Sequence, residues 1–370
     1  MKIGILKEIK KNENRVSMTP AGVEIMAKNG HKVYVEKDAG AKSGFDNDSY
    51  VKAGAAIIDT PKEIFALSDM VMHVKEPQPS EYGLIRPGQI VFTYLHLAAE
   101  KDLTLALVKS GSVNIAYETI QKTDGSLPLL EPMSEVAGRM AIQEAAKYLE
   151  MAQGGSGVLL GGVPGVEPGT VVVIGGGTVG INAAKMACGL GAQVYILDLN
   201  PARLRYLNDV MPPNCFTVFS TPESIRRLVM RADAVIGAVL IPGAKAPKLV
   251  TRDMLKTMKK GSVLVDVAID QGGCFETSHA TTHADPVYEV DGIIHYCVAN
   301  MPGAVARTST LALTNATLPY AVKIANKGWK KAMAENREIA LGANVIEGHI
   351  TFAGVAEAFN LPCERIENII

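Results

Sequence analysis

Short apolar runs recur along the chain, separated by stretches whose apolar positions repeat with the spacing of a helix. Runs of this length bounded by Gly, Pro and Asn read as buried strands. In the N-terminal third these are Ile3–Leu6, Lys32–Val35, Met70–Val74, Gln89–Thr93 and Val113–Ala116, with helices at Pro20–Asn29, Asp48–Ala53 and Lys101–Val108. In the middle the strands are Val171–Ile174, Gln193–Leu197, Phe216–Phe219, Ala234–Leu240, Ser262–Val267 and Ile293–Val298. Helices between them run from Ile181 to Leu190, from Asn200-Pro201, from Pro222 to Arg231 and from Met254 to Met258. Strand and helix in alternation predict parallel, doubly wound sheets, and therefore an α/β fold. Two longer helices, Met133–Met151 with Ser134 as its cap and Ala304–Lys327 kinked at Pro319, flank the middle segment. They are expected to join two Rossmann-like domains with a cleft between them, where ligand would bind at the C-terminal strand ends. The boundaries follow: residues 1–130 for a substrate domain, 131–303 for a nucleotide domain, and 304–370 for helices returning to the first domain.

One stretch carries a more specific signal. Residues 154–191 hold 13 of the 35 glycines, and within them Val171–Ile174 is followed by Gly175, Gly177 and Gly180, then a helix, a strand and Asp198. The order has a physical reason. Gly175 permits a tight turn, Gly177 lets a pyrophosphate approach the backbone, and Gly180 lets helix and strand pack closely. Free N–H groups at the helix start bind the anion, and a carboxylate 23 residues after Gly175 can accept both ribose hydroxyls. Asp198 repels a 2′-phosphate and so favours NAD. Arg203 and Arg205 keep NADP open, or simply face solvent.

Composition narrows the rest. With 370 residues, 48% hydrophobic, 20% charged and a net charge of −1, the chain reads as ordinary globular protein without a basic field for nucleic acid. Aromatics at 5% argue against a base-stacking surface. No apolar run approaches a membrane span and the start has no secretory pattern. The five cysteines lack C-x-x-C spacing, so reduced thiols in a cytoplasmic protein are the simplest reading.

Four residues at strand ends have the chemistry of a reaction site. Arg15 could grip a carboxylate, or be a solvated arginine. Lys75 could add positive charge, or be a surface lysine ending its strand. His96 could move protons near neutral pH, or be a satisfied, half-buried histidine. Asp270 could polarise a group or take a proton, while Asp266, inside the strand, reads as structural. Cys274, His279 and His283, with Glu276 and Asp285 nearby, superficially suggest zinc, but no second Cys pair or H-E-x-x-H supports them. A polar loop is the preferred reading, and no metal is assigned.

The segments MKIGILKEIKKNENRVSMTP, HVKEP, YLHLA, LLEPMSEVAGRMA, VVVIGGGTVG, DLN, VLIPGAKAPKLVT, GSVLVDVAIDQGG and VANMPGAVARTST carry a resemblance along nearly the whole chain. In these the sequence resembles the alanine dehydrogenase family. Some are shared with the NAD-binding subunit of proton-translocating transhydrogenase, and more distantly with saccharopine-type lysine dehydrogenases. The resemblance implies NAD-dependent, reversible oxidative deamination of L-alanine to pyruvate and ammonia by a homohexamer; the composition adds a cytoplasmic protein with no nucleic-acid or membrane partner. It implies His96 and Asp270 as the catalytic pair, absent from the transhydrogenase subunit, and Arg15 and Lys75 as substrate binders. For the cofactor it implies Ser134, the glycine loop with Thr178 and Val179, Asp198, Arg203 and Ser220. Val239, Leu240, Val267, Ala268, Ile269 and Asp270 would line the nicotinamide side, completed by Val298, Asn300 and Met301. The helix on which some members have been assigned a metal here carries Lys323 and Lys327, which are not ordinary ligands while protonated. Two other readings stay open: a transhydrogenase subunit passing hydride to NADP, and a non-catalytic NAD-sensing protein.

Overall fold

The computed structural model describes residues 1–239 and 246–370. They group into two compact units, one of residues 1–133 and 303–370 and one of residues 134–302.

The first unit opens with six parallel strands: β1 (Lys2–Ile5), β2 (Lys32–Glu36), β3 (Ala56–Ile58), β4 (Met70–Met72), β5 (Ile90–Thr93) and β6 (Val113–Ala116). Their spatial order is β3-β2-β1-β4-β5-β6. Between them run α1 (Pro20–Lys28), α2 (Asn47–Lys52), α3 (Pro61–Leu67) and α4 (Lys101–Ser110). The caps explain where these helices start. Thr19, Asp46 and Thr60 each accept a backbone N–H from the first turn, and Pro20 and Pro61 stand where a missing N–H is harmless. Strands β4, β5 and β6 are buried at every position, which is why they read as unbroken apolar runs.

The second unit begins in the first turn of α5 (Glu131–Tyr148). It continues through β7 (Thr170–Ile174), α6 (Thr178–Gly189), β8 (Gln193–Asp198), α7 (Pro201–Val210), β9 (Cys215–Phe219), α8 (Pro222–Val229) and β10 (Ala234–Gly237). After the short α9 (Arg252–Leu255) come β11 (Val263–Asp266), β12 (Val287–Val290) and β13 (Ile293–Tyr296). The parallel order is β9-β8-β7-β10-β11-β13, with β12 antiparallel on the β13 edge. In both sheets the first strand has its successor on one side and the fourth strand on the other. That reversal creates a switch point, between β1 and β4 in the first unit and between β7 and β10 in the second.

The chain then returns through α10 (Ala306–Lys327), which continues past Pro319, and through α11 (Trp329–Glu335) and α12 (Arg337–Leu341). The C-terminal segment is not helices alone. β14 (Ala343–Ile346) pairs antiparallel with β6, and β15 (His349–Ile350) pairs with β14, before α13 (Ala353–Phe359) ends the regular structure. The hairpin turns on Glu347 and Gly348, both left-handed at φ 50° and 93°. That is the backbone of a tight two-residue hairpin, written with Glu where Asn or Asp would have announced it. Among the described residues no helix is long and apolar enough to cross a membrane.

Candidate active site

In the first unit Arg15 follows β1, Lys75 follows β4 and His96 follows β5, and these three strands are neighbours. The residues therefore leave one C-terminal sheet edge, Arg15 and Lys75 on either side of the switch point. Arg15 is not a solvated arginine: it is 2% exposed. Its Nε donates to Glu13 Oε1 at 2.7 Å and its Nη2 to Glu13 Oε2 at 2.6 Å, a bidentate pair, while Nη1 points at Met133 Sδ at 2.9 Å. Burial works to lower the guanidinium pKa, but the Glu13 carboxylate outweighs it and the pKa lies above the ordinary value.

Lys75 is half-buried rather than a surface lysine. Burial, and then the like charge of Arg15, lower its ammonium pKa from 10.5. Its backbone is tied down by Thr93 Oγ1, which donates to the Lys75 carbonyl at 2.9 Å. The Glu8 carboxylate accepts the Val74 N–H at 2.6 Å and the Lys75 N–H at 3.4 Å. Glu8 in turn lies 3.3 Å from Nδ1 of the buried His73, whose Nε2 is 3.5 Å from Glu81 Oε1. Burial alone would lower the His73 pKa, but Glu81, Glu8 and Glu36 lift it to about 9. Burial also raises the pKa of Glu36 and of Glu81.

His96 is exposed, not half-buried, and adopts a left-handed backbone at φ 49°. Its ring stacks on Tyr94 at 5.9 Å between centroids and 13° between planes. Glu13, Glu8, Glu81, Tyr94 and Glu118, all missed in the sequence, sit around these residues. No motif marks these acids: Glu8 meets groups 65 to 67 positions away in the chain, and Glu118 meets groups 22 and 23 positions away.

In the second unit the glycine loop follows β7. Gly175 has φ 105°, and a Cβ there would lie 2.6 Å from the Ala238 carbonyl oxygen. A Cβ on Gly180 would lie 1.8 Å from the Gly175 oxygen, whereas one on Gly177 would meet no protein atom within 4 Å. Protein packing therefore demands Gly175 and Gly180, while Gly177 leaves open space over the start of α6. Thr178 and Val179 form the first turn of α6, whose N-terminus lacks a side-chain cap. Asp198, at the end of β8, accepts the Gly176 N–H at 2.8 Å through Oδ2 and the Asn200 N–H at 2.8 Å through Oδ1. Arg203 donates from Nε to the Gly176 carbonyl at 2.6 Å, and the Ser220 N–H donates to the Asp198 carbonyl at 3.0 Å.

Val239 lies against Gly175 after β10, and Leu240 is outside the described residues. Val267 follows β11, Ala268 and Ile269 are buried, and Asp270 is exposed in a short 3₁₀ turn. Asp266 is fully buried at the end of β11 and accepts from Ser278 Oγ at 2.5 Å and the Phe275 N–H at 3.2 Å. Val298 and Met301 are buried beyond β13, and Asn300 is left-handed at φ 59°. Ser134 is not a cap. The helix starts at Glu131, because Pro132 fits its first turn, so Ser134 lies within α5.

Among the described residues no three His, Cys, Asp or Glu side chains converge as a metal site. Cys274 is buried, and burial pushes its thiol up to about 12. His279 stacks on Tyr288 at 3.7 Å, and His283 Nε2 lies 3.1 Å from the Asn300 oxygen. Lys323 sits over the Tyr320 ring, and Lys327 pairs with Glu335.

Two family models match the chain: Alanine dehydrogenase/PNT, N-terminal domain, over residues 4–137, and Alanine dehydrogenase/PNT, C-terminal domain, over residues 141–353. The sequence is 58% identical to an alanine dehydrogenase of Methanococcus maripaludis, over 100% of both chains. A solved L-alanine dehydrogenase matches with a TM-score of 0.95 at 50% identity, over 97% of this chain and 99% of that one. A transhydrogenase from Sinorhizobium meliloti matches with a TM-score of 0.82 at 25% identity, over 95% and 99%.

The His73 cluster makes stability depend on pH. A folded pKa near 9 against 6.5 unfolded means that its contribution is complete below pH 6.5 and lost as pH rises through 9. Ionisation of Glu36 and Glu81, whose pKa values burial raises, works in the same sense. The melting temperature should therefore fall between pH 6.5 and 9, and His73→Gln should flatten that fall. Equal slopes for the two proteins would contradict it.

Proposed function

The chain belongs to the alanine dehydrogenase/PNT family, and on that premise we propose that it is an amino-acid dehydrogenase converting L-alanine to pyruvate and ammonia, reversibly, with NAD. The observation that carries this reading is full-length identity of 58% to an alanine dehydrogenase, against 25% to a transhydrogenase. That contrast favours it over the transhydrogenase-subunit alternative.

The second unit fits a dinucleotide. Gly177 leaves room where a Cβ would project, and the uncapped N–H groups of Thr178 and Val179 suit a pyrophosphate. Asp198 retains lone pairs for ribose hydroxyls, and its charge favours NAD over NADP. Arg203 and Ser220 flank it, and Ser134, Val239, Val267–Asp270, Val298, Asn300 and Met301 are the remaining proposed contacts. When bound, the nicotinamide supplies the hydride acceptor.

The first unit supplies the substrate's counter-charge. Glu13 already neutralises Arg15, whereas Lys75 forms no ion pair among the described residues and is held below its ordinary pKa by burial and by Arg15. An arriving carboxylate offsets both effects. Arg15 and Lys75 thus fix the carboxylate and orient Cα–H. Once Cα has lost its hydride and the nitrogen a proton, water adds to the iminium carbon. His96 takes one proton of that water and returns it to the nitrogen; as the carbonyl forms and the C–N bond breaks, the hydroxyl proton passes to His96 and ammonia leaves. Asp270 stabilises the cationic iminium or orders the water. General acid–base help of this kind is worth about 10²–10⁴-fold. A homohexamer, implied by the family resemblance, and a cytoplasmic location, the simplest reading of the cysteine pattern, complete the proposal. Light scattering would read six copies of 39.3 kDa.

NADH absorbance with L-alanine tests the assignment, with His96→Ala and Asp270→Asn expected to lose at least about 100-fold in kcat. An inactive wild type, or two fully active variants, would overturn it. The KM for pyruvate should begin to rise with pH below 10.5, as Lys75 deprotonates, and Lys75→Met should remove that dependence. Gly177→Ala should weaken NAD binding at nearly unchanged melting temperature, whereas Gly180→Ala should lower the melting temperature itself.

A further inference from the structure

The turn that presents His96 is held by one side chain. Beyond β5 the Leu95 N–H donates to both oxygens of Glu118, at 3.1 and 3.2 Å, and the His96 N–H donates to Oε1 at 2.6 Å. These contacts bind successive amides to one carboxylate and keep His96 at φ 49° and ψ 35°, a region that residues with a side chain rarely occupy. The carboxylate is itself well anchored. Glu118 lies in the turn Tyr117–Thr119 just beyond β6, flanked by the fully buried Tyr117 and Ile120. Strands β5 and β6 are paired in register at Thr93 and Ala116, so the residues two beyond each strand end meet. The imidazole stacks on Tyr94, which packs edge-on against Tyr117 at 5.1 Å. Backbone and ring of His96 are therefore both referred to the rigid ends of two neighbouring strands.

We propose that Glu118 is a positioning residue for the reaction: its carboxylate holds the Leu95–His96 turn in the one backbone conformation that aims the imidazole, without itself touching the substrate. The proposal rests on the reading of His96 as the proton-transfer group. Proton transfer is sensitive to placement, since a displacement of about 1 Å can cost on the order of 100-fold in rate. Carboxylate binding belongs to Arg15 and Lys75, which β1 and β4 carry, so substrate affinity should not follow Glu118.

Two variants test it. Glu118→Leu keeps bulk but offers no acceptor, and Glu118→Gln keeps one acceptor oxygen. The Leu variant should lose about 100-fold in kcat with KM for pyruvate within about twofold of wild type, and the Gln variant should recover most of that loss. Combined with His96→Ala, Glu118→Leu should lower the residual rate no further, because it acts only through the imidazole. A wild-type kcat in the Leu variant, or an undiminished effect in the His96→Ala background, would overturn the proposal. If the Leu variant fails to fold, the Gln variant decides: a several-fold loss of kcat at constant KM supports the assignment and a wild-type kcat ends it. Full activity of His96→Ala alone would instead remove the proton-transfer reading, a result distinct from failure at Glu118.

Discussion

A parallel strand covered on both faces must satisfy every polar group it buries, as β6 does for Asn114 and β13 for His295, so most polar chemistry falls at strand ends. That constraint governs both units. Strands such as β5, β7 and β11 are apolar or fully buried throughout, and the chain becomes polar only where each strand hands over to its crossover. At the switch points two neighbouring crossovers diverge, and the residues of interest collect there: Arg15 and Lys75 after β1 and β4, Gly175 and Val239 after β7 and β10. The same geometry used twice gives two different surfaces. In the second unit it exposes backbone N–H groups, and in the first it gathers charged side chains.

Gathering charge under cover has a cost that the first unit meets by pairing. Arg15 is matched by Glu13, and His73 by Glu8 and Glu81, so the buried ions compensate one another. Among the described residues Lys75 has no such ion pair and is depressed by burial and by a neighbouring cation. An environment that disfavours its charge is also one that an anionic ligand would improve. Glu8 links the two arrangements, because the oxygen facing His73 also accepts the amides of Val74 and Lys75.

The α/β fold was legible from the chain because its signals are local: apolar runs of strand length, caps such as Thr19, and a glycine at each forced turn. The glycine loop was legible for the same reason, since five features follow one another within about thirty residues. What escaped was short or non-local. β3, β12, β14 and β15 have two to four residues each and borrow their stability from partners elsewhere in the chain. Ser134 looked like a cap because the helix was expected to start at Met133, whereas it starts at Glu131 with Pro132 in its first turn. The burial of Arg15 was hidden because Met133, which meets its guanidinium, lies 118 residues away. Glu118 gave no signal at all, since a carboxylate that binds backbone leaves no pattern in side-chain spacing.

The return of the chain has a consequence for how the molecule is made. The sheet of the first unit needs β14, at Ala343–Ile346, to cover β6, which was synthesised some two hundred residues earlier. The second unit, by contrast, is continuous and can close on itself while it emerges from the ribosome. Until the last segment arrives, β6 presents an apolar strand with one side unpaired, an invitation to wrong partners. Nascent chains interrupted after the second unit would thus hold one finished body and one sheet open at its edge, and clients of this form are what chaperones are suited to protect.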